Sequence, residues 1–126
     1  MPATDFAATA SVLIALLRRH QDRFTVKEDS PVSYSVNTRI PSPFPQHKGQ
    51  PLWFGAVQTG KAYVSFHLMP IYMCPELSSG IAPGLKKHMQ GKSCFSFRTV
   101  PAPEILRQLE ALTDAAVNLW TERRWM

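Results

Sequence analysis

Two apolar, strand-like runs separated by only three residues constrain this chain more than any other feature. Runs 52–58 and 62–68 are joined by Thr59-Gly60-Lys61. So short a connection excludes the crossover that parallel strands need, which leaves an antiparallel hairpin with Gly60 free to take a positive φ. In the second run Ala62, Val64, Phe66 and Leu68 share one face, while Tyr63, Ser65 and His67 share the other. A sheet with one apolar face needs a cover, and the two ends of the chain supply it. Over 5–22, Phe6, Ala10, Leu13, Leu17 and His20 recur at helical spacing, with Thr4 or Asp5 placed to cap the first turn. Over 103–121, Ile105, Leu109, Leu112, Ala116 and Leu119 form a second stripe.

Strand patterns at 24–28 and 32–38 precede the hairpin, and another follows at 93–98, with a short helix expected over 84–90. The expected fold class is therefore α+β: one domain over 1–126, a mostly antiparallel sheet of about five strands, and the N- and C-terminal helices packed on one face. Two connections are long for so small a domain. Segment 39–51 holds Pro41, Pro43, Pro45 and Pro51, which excludes a central strand there, yet Ile40 and Phe44 suit it to lying against the body. Segment 69–82 is irregular but rich in bulky groups, and connections of this length often serve function.

Composition narrows the class. The 126 residues are 44% hydrophobic and 18% charged, outside the range of disordered chains. No apolar run reaches the roughly 20 residues of a membrane helix, and two cysteines make no disulfide framework. The N-terminus lacks the basic patch, apolar core and small-residue site of a secretory leader, so the cytoplasm is the expected location. The net charge of +5 is uneven, because seven basic side chains face Glu76 alone between 30 and 103. That excess favours anions.

Within this basic region Trp53, Tyr63, His67, Tyr72, Lys86, Lys92 and Cys94 are the candidate ligand-binding residues. Tyr63 and His67 share a strand face, Tyr72 lies just beyond the strand, and Lys92 precedes the next one. Flat apolar surface beside donors and positive charge suits a small polar or anionic molecule, held between the central sheet and segment 69–92. Three alternatives stand beside this reading. His67, Cys74, His88 and Cys94 are zinc- or iron-type ligands, although their spacing matches no compact metal signature. Cys94 with His67 has the residue types of a nucleophile and its base. Basic charge interleaved with aromatics also occurs in weak nucleic-acid binders, though seven basic residues over this length are sparse for that role. No glycine-rich phosphate loop and no paired carboxylates occur in the middle of the chain, so no cofactor and no reaction is indicated. The apolar tail 119–126, with Trp120, Trp125 and Met126 beside arginines, has a composition suited to a homodimer interface.

The stretch 63–72, then Pro75-Glu76-Leu77, then Gly91-Lys92-Ser93-Cys94-Phe95-Ser96-Phe97, resembles the DUF1801, or YdhG-like, family of small bacterial proteins. The likeness spans about 25–120, and its sharpest piece is the Gly-Lys-Ser-Cys-Phe string. It implies an α+β fold in a single domain and transfers no catalytic residue. One branch is linked to iron delivery in a frataxin-like role, which implies an acidic metal-gathering surface. The middle of this chain is basic instead.

Overall fold

The computed structural model describes residues 6–126. The expected caps Thr4 and Asp5 lie outside the described residues. Helix α1 (Phe6–Arg18) leads into strands β1 (Thr25–Ser30), β2 (Ser33–Pro41), β3 (Pro51–Thr59) and β4 (Val64–Leu68). Three short helices follow, α2 (Met69–Met73), α3 (Pro75–Ser78) and α4 (Pro83–Lys86), then strand β5 (Cys94–Phe97) and helix α5 (Pro103–Glu122). The five strands form one antiparallel sheet in the order β1-β2-β3-β4-β5. This is the α+β architecture that the hairpin and the terminal stripes predict.

Alternation divides the sheet into two faces. Tyr34, Val36, Val57, Val64, Phe66, Leu68, Phe95 and Phe97 are buried on the face beneath the helices, together with Leu13 and Leu17 of α1. Helix α1 packs on β3 and β4, and α5 packs on α1 and the short helices. Helix α5 reaches the sheet through Trp120, whose ring meets Phe54 edge-on at 5.4 Å. Val32, within the strand expected over 32–38, instead occupies the exposed β1–β2 turn.

The differences from expectation have local causes. Helix α1 ends at Arg18, where its apolar stripe runs out, and His20 leaves the helix. The imidazole Nε2 of His20 lies 2.7 Å from Asp114 Oδ1 on α5, and Arg19 pairs with Asp114 and Glu110, so polar contacts join the two helices at this end. The buried face of α5 is rotated from the expected stripe: Thr113, Val117 and Trp120 are buried, whereas Leu112 and Leu119 are only partly so. Thr113 tolerates burial because its hydroxyl donates to the Leu109 carbonyl at 2.8 Å. Gly60 does not take a positive φ; its amide donates to the Tyr63 carbonyl at 2.9 Å, closing a longer loop than expected.

Strand β2 runs on to Pro41, so the proline-rich loop shrinks to 42–50. Pro41 faces Pro51 beyond an irregularity in the ladder, and neither can donate. Nearby groups compensate: the Leu52 amide donates to Thr38 Oγ1 at 3.0 Å, and the Ser42 amide to the Gln50 carbonyl at 2.9 Å. Segment 69–82 is more regular than expected because Pro70 and Pro75 sit in first helical turns, where a missing amide costs nothing. The outer edge of β5 is closed by the Gln90 amide donating to Cys94 and the Ser96 amide donating to His88, each at 2.8 Å. The C-terminal tail folds back on its own chain, with the Trp125 ring 5.7 Å from Trp120 and 5.2 Å from Phe44. Among the described residues no helix is long and apolar enough to cross a membrane.

Candidate functional site

The candidate site is a cleft of about 460 Å³ between loop 42–50, the start of β3 and helix α2. Its walls are Phe44, His47, Leu52, Trp53, Met69, Tyr72 and Met73, with Gln46 and Gln50 supplying amides. A volume of this order suits a small organic ligand. Among the described residues no Asp, Glu, Lys or Arg lines it. Hydrogen bonds and ring contacts hold the loop wall together. Ser42 Oγ accepts from the Phe44 amide at 3.1 Å and lies 2.6 Å from His47 Nδ1, while Phe44 is braced edge-on by His47 and by Trp125. An aromatic series therefore runs from the core to the cleft: Phe24, Phe54, Trp120, Trp125 and Phe44.

Trp53 stands where the cleft meets the uncovered face of the sheet. A bulge at Phe54 lets Trp53 project away from the core while Leu52 and Phe54 remain buried. The indole Nε1 donates to Ser35 Oγ at 3.2 Å, and the ring lies 5.7 Å from that of His67. His67 thus packs against Trp53 without lining the cleft itself.

A second depression, of about 320 Å³, adjoins the first, and Tyr72 lines both. Lys86, Lys92, Met89, Ser78 and Pro75 surround it, and Lys92 Nζ lies 5.9 Å from the Tyr72 ring centroid. Among the described residues neither lysine has a carboxylate within ion-pair distance. Glu76, the one acid between 30 and 103, is paired with Arg123.

The expected site residues therefore fall into three groups, the first of them spread over the two adjoining depressions. Trp53 and Tyr72 meet in the apolar cleft, and Tyr72 joins Lys86 and Lys92 in the adjoining depression. Tyr63 does not share either place. It precedes β4 and lines a shallow depression with Ser33, Gln58 and Lys61. His67 and Cys94 form the third group, as register partners on the uncovered sheet face. Phe44, His47, Met69 and Met73 were not anticipated as site residues. Phe44 in a proline-rich loop and methionines four apart beside Tyr72 were the available signals.

Cys94 Sγ lies 4.0 Å from His67 Nε2, which is also 3.0 Å from Ser65 Oγ. Proximity alone does not activate the sulfur. Burial raises the Cys94 thiol above its ordinary pKa and lowers the His67 imidazole below its own, so both effects favour the neutral pair over thiolate and imidazolium. The other metal-type ligands lie apart from this pair. Cys74 is fully buried, its sulfur accepting from Arg123 Nη1 at 3.2 Å, and burial raises its thiol pKa with Arg123 opposing. His88 stacks against Phe97 at 4.7 Å. Among the described residues no group of three or more His, Cys, Asp or Glu side chains is close enough to hold a metal ion.

No family model, no curated protein and no solved structure matches the chain.

Proposed function

We propose that this protein binds a small organic ligand in the cleft between loop 42–50, Trp53 and helix α2. One observation carries the proposal: Trp53, Phe44, Tyr72 and two methionines line a cleft of about 460 Å³ in which Tyr72 is left 60% exposed. Large aromatic side chains left accessible beside a concave apolar surface favour a flat or hydrocarbon-rich guest, with His47 and the two glutamine amides available to orient it. His67 serves this reading as a support for Trp53. Membership of the DUF1801 family belongs to the same proposal and rests on the string from Gly91 to Phe95.

A metabolite screen by ligand-observed magnetic resonance tests it, run on the parent protein and on Trp53→Ala and Tyr72→Ala. Hits on the parent should lose affinity roughly tenfold or more in both variants, as expected for a central aromatic contact. The proposal fails if no compound binds the parent, or if every hit binds the two variants unchanged.

A further inference from the structure

We infer that the ligand of this cleft is an amphipathic anion, with an apolar body in the cleft and an acidic head group at Lys86 and Lys92; the inference rests on the binding site proposed above. Tyr72 carries the argument because it is a wall of both depressions. On one side of it, among the described residues, the lining contains no Asp, Glu, Lys or Arg. On the other side stand two exposed lysines that no carboxylate among the described residues neutralises. Glu76, the one acid between 30 and 103, is engaged by Arg123 and leaves the lysine charge uncompensated.

Each half alone fits its partner poorly. A purely apolar guest would leave both ammonium groups without a counter-charge. A small hydrophilic anion, such as inorganic phosphate, would gain nothing from Phe44, Trp53 and Met69 and would meet only mobile surface lysines in high dielectric. A molecule reaching past Tyr72 would bury its body against the aromatics and place its acid between Lys86 and Lys92, where charge-assisted hydrogen bonds form. The phenol ring of Tyr72 would lie along the junction of its two parts. The class is therefore a carboxylate or sulfonate attached to an aromatic or alkyl body.

Two dyes that share a naphthyl-phenylamine body isolate the charge. 8-Anilinonaphthalene-1-sulfonate carries the acid, and N-phenyl-1-naphthylamine lacks it. Fluorescence titration of the full chain should show the sulfonate binding more tightly than the neutral dye, with inorganic phosphate a poor competitor. Lys86→Ala with Lys92→Ala should weaken the sulfonate about tenfold and leave the neutral dye within about twofold. Both lysines are exposed, so the double variant should keep the parent's circular dichroism spectrum. The inference is overturned if the lysine variant binds the sulfonate as the parent does, if both dyes weaken together, or if neither dye binds. Neutral-dye binding without sulfonate preference would remove the anion and leave the cleft standing. Absence of both dyes together with an empty metabolite screen would remove the cleft as well.

Discussion

The two faces of one sheet show how differently the same strands can be used. Beneath the helices, β4 presents Val64, Phe66 and Leu68, all fully buried. On the other face the same strand presents Ser65 and His67, flanked by Trp53, Ala56 and Cys94 on neighbouring strands. The covered face is hydrocarbon in close contact, the kind of surface whose burial drives folding. The uncovered face is made of small hydroxyls and half-buried rings joined by single hydrogen bonds, and its aromatic end opens into the cleft. Stability belongs mainly to the first face, and the cleft proposed to bind a ligand opens at the edge of the second.

Truncations should separate the faces most sharply. Phe66→Ala should cost about 3–5 kcal/mol in urea unfolding, the usual loss for a fully buried phenylalanine, whereas Ser65→Ala on the adjacent residue should cost about 1–2 kcal/mol for its hydrogen bonds with Gln58 and His67. Equal losses would erase the distinction. The next largest contrast lies in the cover. Leu109 is fully buried and Leu112 only partly so, and Leu109→Ala should lose about 2–5 kcal/mol while Leu112→Ala loses about half as much or less. If Leu112 proved the costlier position, the rotation of α5 described above would be wrong.

That rotation marks the limit of what periodicity reveals. The stripe through Ile105, Leu109 and Ala116 was legible because helical spacing repeats regardless of partner. The choice between Leu112 and Thr113 was not, because it depends on a hydroxyl satisfied inside its own helix. The hairpin and the faces of β4 were legible for the same reason as the stripe, since two-residue alternation is a local property. The site is non-local, and less of it could be read. Trp53, Tyr72, Lys86 and Lys92 were recognisable by type, yet their division around Tyr72 depends on how two loops pack. Tyr63 was misplaced because β4 starts one residue after it, which leaves the ring in the hairpin loop. Phe44 and His47 were hidden in a proline-rich segment, where neither period applies and position is set by Ser42 and Trp125.

A smaller effect tests the point where the faces meet through the backbone. Gly55 pairs with Leu68 at the bulge that turns Trp53 outward, and a Cβ there would stand 2.5 Å from the His67 carbonyl oxygen. That neighbour is main chain and can move only with its strand. Gly55→Ala should therefore destabilise by about 1–3 kcal/mol, the usual range for overpacking a tight site. It should also disturb Trp53, seen as a shift in tryptophan fluorescence relative to the parent. A neutral substitution would show that the strand spacing at the bulge is not constrained as described.

The smallest expected effect comes from the uncovered face itself and appears only with pH. Burial lowers the pKa of His67 below its ordinary value near 6.5, because the half-buried imidazole resists charging beside Trp53 and Ser65. The unfolded chain then takes up this proton more readily than the folded one. The contribution of His67 to stability is complete above about pH 6.5 and is lost as pH falls from there through the lower folded-state pKa. Acidification acts on the whole chain, so the comparison must be made against a variant. His67→Gln keeps a donor for Ser65 but cannot charge. Urea unfolding at pH 7.5 and pH 5.5 should show the parent losing more stability on acidification than His67→Gln does. Equal losses would mean that His67 is as well solvated in the fold as in the unfolded chain, and the uncovered face would then be more open at Trp53 than its contacts indicate.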